Sequence, residues 1–258
     1  MNAPMLPTFA ARVPGPYAPW CERLFFGAPA VVGSDVALPA ARLADDVERL
    51  LAGVRPLYDG DDARALLSQW SKYYFNLVVP PALVAARVLK RPLAMALSES
   101  TVVLRHGLPH ALWLPYDALG DEDDAPAPRY RSLCVEHLAP LIAQLSRAAR
   151  LAPRVFWGNA ANTLEYALAH ELPGGGCDAD WLFGRREFFD TGEANPLYRA
   201  IRYVDTERAG LASPFRARRV CCLRDRLPGQ TLLCSACPLL LSMSDAELAA
   251  QLTLREEE

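Results

Sequence analysis

Of the seven cysteines in this 258-residue chain, four fall within seventeen positions: Cys221-Cys222, then Cys234-Ser235-Ala236-Cys237. Four thiolates in so short a span form the ligand set of a structural zinc or of an iron–sulfur cluster. The two make different geometric demands. Zinc sites are usually built from two Cys-x2-4-Cys pairs, each on a tight turn that brings two sulfurs onto one ion. Only Cys234 and Cys237 have that spacing. Cys221 and Cys222 are adjacent, and consecutive side chains of an extended segment point to opposite sides, so both reach one small ion only across a local bend. A two-iron cluster divides its outer positions between two metals, so an adjacent pair and a Cys-x2-Cys pair can clasp it without four sulfurs meeting at a point. Spacing alone leaves both groups open.

The residues around the cysteines bear on redox chemistry. Pro228-Gly229 makes a turn that folds the second pair back toward the first, and Pro238 stops the Cys-x2-Cys turn from running on as helix. Arg216, Arg218, Arg219, Arg224 and Arg226 flank the first pair. A cluster held by four thiolates is anionic and gains charge on reduction, so nearby cations favour the reduced form and raise the potential. The alternative is that these arginines are solvated surface charges of little local effect. Cys21, Cys134 and Cys177 stand apart, Cys134 with the character of a small core residue and Cys177 of an exposed thiol. Among the four histidines only His106 and His110 sit close in sequence, in a hairpin where turn or core packing is the simpler role. Gly174-Gly175-Gly176 lacks the strand-before, helix-after context and the Gly-Lys-Ser/Thr ending of a nucleotide loop and reads as a flexible connector. No nicotinamide or flavin fingerprint is present, so electrons for any redox chemistry are expected from another protein, such as a ferredoxin or a ferredoxin reductase.

A hydrophobic content of 52% supplies ample core for one large or two smaller domains. The net charge of −3 argues against a nucleic-acid partner, which would require a basic excess. Met1 to Trp20 has no basic start or unbroken apolar run and carries five prolines, unlike a secretory leader, so a reducing cytoplasmic location is expected. There, clustered cysteines point to metal rather than to disulfides. The longest charge-free stretches, Asn76 to Ala86 and Gln230 to Ser244, are too short and too proline-bearing to span a membrane, which leaves peripheral association open.

Helical spacing is found over Ala40 to Val54, over Asp61 to Phe75 and, after Pro80-Pro81, over Ala82 to Leu89, so three helices are expected before any strand. Leu93 to Leu97, Thr101 to Leu104 and Ala111 to Leu114 read as short strands of a small antiparallel sheet. Gly120 to Pro128 reads as a solvated loop. Helices are expected over Leu133 to Arg150, where Pro140 either starts or kinks one, over Asn159 to His170, and over Trp181 to Phe189. Ser244-Asp245-Ala246-Glu247 has capping-box spacing for a terminal helix. The expected fold is α+β, mainly helical, with a body over residues 1–215 and a four-cysteine segment over 216–258.

Cys-Cys, a spacer of about ten residues and Cys-x2-Cys near the end of such a chain resembles the FhuF-type ferric-siderophore reductase family. The likeness extends to Trp70-Ser71-Lys72-Tyr73-Tyr74-Phe75, to Phe156-Trp157-Gly158-Asn159-Ala160-Ala161-Asn162 and to Asn195-Pro196-Leu197-Tyr198. The spacer Leu223 to Leu233 is one residue longer than the family's usual length. The resemblance implies a [2Fe-2S] cluster on Cys221, Cys222, Cys234 and Cys237, and one-electron reduction of iron(III) held by an imported siderophore, most readily of the hydroxamate type. Lowering the charge on the iron weakens its hold on hard anionic oxygens and releases it. For the siderophore, Trp157, Asn159 and Asn162 are candidate pocket residues, with core packing and helix capping as the alternatives. Arg199 and Arg202 are candidates to receive siderophore oxygens, with surface ion pairing as the alternative. Two other functions remain: a zinc-stabilised module that binds a siderophore without reducing it, and a plain iron–sulfur electron carrier. If all four clustered cysteines are ligands, serine at any one of them should remove the iron, the sulfide and the visible absorbance. A Cys234→Ser protein with full colour would refute the assignment.

Overall fold

The computed structural model describes residues 8–208 and 210–256. Pro4 and Pro7, from the stretch read as unlike a leader, lie outside the described residues. After two 3-10 segments, Phe9–Arg12 and Gly15–Cys21, come two strands, β1 (Leu24–Phe26) and β2 (Val36–Pro39), ahead of every α-helix, which corrects the expectation of three helices before any strand. The helical spacing from Ala40 resolves into a 3-10 segment, Ala40–Asp45, and α1 (Val47–Val54). The break falls at Asp46, whose carboxylate accepts the Arg49 N–H at 3.1 Å and caps α1.

Helix α2 (Ala63–Leu83) is the pillar of the molecule. Asp62 caps it, accepting the backbone N–H groups of Arg64 and Ala65 at 3.0 and 3.2 Å. Fifteen of its 21 residues are buried, so it is enclosed on nearly all sides, as a helix without a polar face must be. Pro80 and Pro81 do not open a third helix. They lie inside the last turns of α2, which continues into a π-type turn at Val84–Val88.

Strands β3 (Thr101–Arg105) and β4 (Leu108–Leu114) form the expected hairpin through His106-Gly107. A Cβ on Gly107, where φ is +78°, would lie 2.5 Å from the Arg49 carbonyl oxygen, so this turn approaches α1 as only glycine allows. Trp70 of α2 donates its indole N–H to the Gly107 carbonyl at 2.9 Å. The sheet order is β1-β4-β3-β2, and the sheet is mixed rather than wholly antiparallel because β1 pairs parallel with β4. Leu93 to Leu97 is not a strand; Leu93 makes one isolated bridge, to Leu119.

Beyond the sheet come α3 (Pro126–Arg131), a π turn at Ser132–Leu138, α4 (Ala139–Ala149) and α5 (Pro153–Tyr166). Pro140 sits in the first turn of α4, where its missing N–H costs nothing. Helix α5 starts well before Asn159 and ends in a π turn, Ala167–Glu171. The triple glycine is not a connector: Gly174 caps α6 (Gly175–Gly184), which takes up the other two and stops before Phe189. Strands β5 (Ile201–Val204) and β6 (Phe215–Arg218) form a second, two-stranded sheet that straddles the expected division at residue 215. Helix α7 (Asp245–Glu256) begins with the expected capping box: the Glu247 carboxylate accepts the Ser244 N–H at 2.8 Å, and Ser244 Oγ accepts the Glu247 N–H at 3.3 Å.

The large core surrounds α2, and a smaller one gathers Phe215, Ala217, Leu233, Cys237, Leu240 and Leu248. Among the described residues no helix is long and apolar enough to cross a membrane. Cys134 is fully buried in the large core, and Cys177 is exposed. His137 is also fully buried, between the Tyr74 hydroxyl at 2.8 Å and the Met95 carbonyl at 2.6 Å, and burial pulls its pKa from 6.5 down to about 4. The unfolded chain takes up this proton between those two pH values and the folded chain does not, so stability is full above pH 6.5 and falls toward pH 4. The loss should approach about 3 kcal/mol. Urea unfolding of wild type should depend on pH more steeply than that of His137→Gln by that amount; parallel curves would show that His137 titrates normally in the fold.

Candidate metal centre and its groove

The first cysteine pair follows two residues after β6, and the second sits on a turn closed by the Cys237 N–H donating to the Cys234 carbonyl at 2.9 Å. One hydrogen bond joins the two segments, and others from α7 hold the second in place. The Arg218 N–H donates to the Ala236 carbonyl at 2.9 Å, which ties β6 to the second turn. From α7, Arg255 donates to the Cys234 carbonyl at 3.0 Å, while Gln251 accepts the Leu233 N–H at 2.9 Å and donates to the Thr231 carbonyl at 2.6 Å. The expected turn at Pro228-Gly229 rests on the loop before α2, where Cβ atoms built on Gly60 and Gly229 would meet Pro228 and Asp59 at 2.6 Å.

The four thiols are neighbours in a ring, with Cys221 and Cys234 on the donor side and Cys222 and Cys237 on the acceptor side, and the Cys221 S–H itself donates to Asp225 Oδ1 at 3.1 Å. The donors are pushed up and the acceptors down. Cys222 is held far below the ordinary thiol range by hydrogen bonds from Cys221 and Cys234, then by the charges of Lys72 and Arg218. Cys237 is lowered to about 3 by hydrogen bonds from Cys221 and Cys234 and by the Leu239 N–H. Lys72 Nζ lies 3.1 Å from Cys222 Sγ, and the Leu223 N–H donates to Cys221 Sγ at 3.3 Å. Among the described residues no three His, Cys, Asp or Glu side chains are arranged to hold one ion as they stand. The thiols line a ring rather than a closed shell.

Beneath the ring lies a buried polar junction. Arg218 is only 2% exposed, and its Nη2 donates to Asn159 Oδ1. Asn159 Nδ2 donates in turn to the Ser68 carbonyl at 2.8 Å and to the hydroxyls of Ser68 and Ser71 at 3.0 and 2.9 Å. Ser68 Oγ and Gln69 Nε2 both donate to the Cys222 carbonyl, at 2.8 and 2.7 Å. Gly158 leaves room for this arrangement, since a Cβ there would stand 3.3 Å from Arg218 Nη2. Arg218 Nε is buried without a partner. A buried guanidinium with a spare donor, and an ammonium against a sulfur, fit an anionic group held by these cysteines.

The arginines flanking the first pair divide by environment. Arg216 pairs with Glu165 and bonds Asn162, Arg224 donates to Gln230 at 2.9 Å, Arg218 is buried, and Arg219 and Arg226 are exposed. Trp157 is packed in the core, edge-on to Phe188 at 5.6 Å, and Asn159 is spent on the buried junction, so neither lines a surface pocket. Arg199 and Arg202 are exposed and line a concavity of about 460 Å3 together with Arg186, Tyr198 and Arg219. It shares Tyr198 and Arg219 with a larger one, of about 670 Å3, whose walls include Arg154, Asn195 and Cys221. Sequence reasoning missed Ser68, Gln69 and Lys72 as neighbours of the first cysteine pair. The available signal was polar residues on a helix with no solvent face.

Residues 68–211 match the model of the FhuF-like ferric iron reductase family, described as a ferric iron reductase FhuF-like transporter, and 218–239 match the FhuF 2Fe-2S C-terminal domain. The chain belongs to the FhuF family. The stretch matching the FhuF 2Fe-2S domain contains all four cysteines, and the group that the FhuF C-terminal domain carries is a [2Fe-2S] cluster. A ferric siderophore reductase of Escherichia coli K12 is 26% identical over 184 residues, which cover 68% of this chain and 66% of that protein's own length. Two aerobactin synthetases of Klebsiella pneumoniae, IucC and IucA, align at 16% and 17% identity with TM-scores of 0.48 and 0.47, over 65% and 60% of this FhuF chain and 37% and 34% of theirs.

Lys72 is partly buried against Cys222 and Arg218 fully buried beneath it, whereas Arg219 is exposed to solvent, so a cluster held by these cysteines would feel the first two with less screening. Lys72→Gln should lower the reduction potential by roughly 40 mV or more, the equivalent of the about 1 kcal/mol that a charge about 4 Å away is worth even in water. That shift should persist in high salt, and any shift from Arg219→Gln should fade. An unchanged potential in Lys72→Gln, by spectroelectrochemical titration, would place the ammonium away from the cluster.

Proposed function

We propose that this protein is a ferric-siderophore reductase of the cytoplasm, and that Cys221, Cys222, Cys234 and Cys237 are the ligands of its [2Fe-2S] cluster. One observation carries the reading: the cysteine ring opens at Cys221 onto a concavity of about 670 Å3, within the size range of small-molecule sites. When bound, the cluster supplies one electron at a time. The chain's residues do the rest. The Lys72 ammonium and the Arg218 guanidinium favour the extra negative charge of the reduced state. Burial of Cys222 and Cys237 keeps water from half of the ring, while Cys221 is the partly exposed edge nearest the groove. The groove holds the ferric complex, of which hydroxamates are the first class to test, close enough for the electron to pass. One electron turns iron(III) into iron(II), whose weaker attraction to anionic oxygens releases it.

In this reading residues 1–215 supply the substrate-binding body and 216–258 the electron-transferring segment. The donor is another protein, a ferredoxin or a ferredoxin reductase, since no hydride-accepting cofactor motif is present in the sequence. Chemically reduced protein mixed with a ferric trihydroxamate and a ferrous chelator in a stopped-flow cell should show reoxidation matched one to one by ferrous complex. Reoxidation no faster than that of a small ferredoxin of equal potential would favour a plain electron carrier. A protein with zinc and no colour would favour a siderophore-binding module.

A further inference from the structure

The groove beside Cys221 carries more positive charge than a neutral ligand needs. Arg154, Arg186, Arg199, Arg202 and Arg219 are all exposed on the two joined concavities, and no aspartate or glutamate is among the residues that line either one. None of the five is in an ion pair among the described residues, although ten other pairs form in the molecule, most of them arginine with a nearby acid. The chain as a whole is slightly acidic, so lining the groove with five guanidiniums, against one acid nearby, Asp225, which accepts the Cys221 S–H at 3.1 Å, is a local arrangement rather than a consequence of composition. Two of them are also pre-positioned. The guanidinium carbons of Arg186 and Arg199 lie 5.5 and 5.2 Å from the centre of the Tyr198 ring, which restrains both side chains and leaves their donors free.

Planar guanidinium forks receive carboxylates in paired hydrogen bonds, and several of them around a concavity repel a cation. We infer that the ferric complex this groove selects is a net anion bearing a free carboxylate, received by Arg199 and Arg202 with Arg186 and Arg219 beside them, while its iron centre lies over Cys221. The inference rests on the reductase reading but concerns binding, which can be measured without electron transfer.

The probe is one linear trihydroxamate in three forms: with its terminal amine free and cationic, acetylated and neutral, or succinylated and anionic. The metal-binding groups are the same in all three. Loaded with gallium(III), which keeps the shape of the ferric complex and takes no electron, the three are titrated against the cluster-loaded protein at low salt. The anionic form should bind at least about tenfold more tightly than the cationic one, a factor worth about 1.4 kcal/mol. The ratio should collapse toward one in Arg199→Gln/Arg202→Gln, with the visible spectrum unchanged, and should return in part in Arg199→Lys/Arg202→Lys. Equal affinities in wild type, no binding of any form, or a ratio untouched by the glutamine pair would overturn the inference, the second pointing to an acidic protein partner on this face. The iron(III) forms, mixed with reduced protein, test the reading beneath: gallium discrimination without iron(III) reduction would defeat the reductase and leave the anion site standing.

Discussion

Arg218 carries its charge in a place where water cannot reach it, and much of the surrounding structure answers that constraint. A guanidinium at 2% exposure is costly unless it has hydrogen-bond acceptors and a negative charge nearby. Asn159 takes one donor, and to hold Asn159 in the right orientation its amide is anchored on Ser68 and Ser71. The same Ser68, with Gln69, fastens the Cys222 carbonyl. One polar chain thus runs from α2 through α5 to β6 and the first cysteine pair. The compensating group is Cys222, whose thiol is held down by its neighbours in the ring and by the charges of Lys72 and Arg218. Cation and anionic ring are each costly without the other, so the metal segment cannot be regarded as an appendage to the body.

Helix α2 makes this possible because it is buried almost all round. A helix with one solvent face would have presented Ser68, Gln69 and Ser71 to water, where their hydrogen bonds would be worth little. Enclosed by α1, α5 and the β3–β4 hairpin, it offers them as fixed donors and acceptors. Lys72, at the edge of that enclosure, reaches Gln69 and Cys222 Sγ together. The hairpin's close approach at Gly107 and the Trp70 hydrogen bond set the height of the helix against the sheet. Packing far from the cysteines thereby controls where the charges beneath them stand.

The two sides of the ring have opposite dielectric character. Inside, Lys72 and Arg218 act on the sulfurs with little screening, a setting suited to tuning a potential. Outside, the exposed arginines around Tyr198 act through water and salt, a setting suited to attracting and orienting a charged ligand. Arg218 and Arg219 are neighbours in sequence, yet the first, at the end of β6, is buried and the second, just past it, is exposed.

The sequence by itself was enough for the metal and the family. Four cysteines in that spacing restrict the chemistry to thiolate-bound metal, and the motifs around Trp70, Trp157 and Asn195 narrowed it to one family. The helix starts near Asp61 and at Ser244 were legible too, because a cap is a local interaction between residues two or three apart, whereas the cap at Asp46 fell inside a helix expected from Ala40. What could not be read is what depends on distant segments meeting. Pro80 and Pro81 resembled a helix start, yet they sit inside α2, where enclosure outweighs two missing donors. The first strands were passed over because β1 and β2 are only three and four residues long, and their partners lie more than sixty positions away. Five flanking arginines looked alike in sequence, and only tertiary packing made one of them a buried counter-charge and another a groove wall. Asn159 and Trp157 looked suited to a ligand, while burial gave the first to Arg218 and the second to the core. Local pattern determines which groups are present; burial, which no short stretch of sequence encodes, decides which of them feel each other's charge.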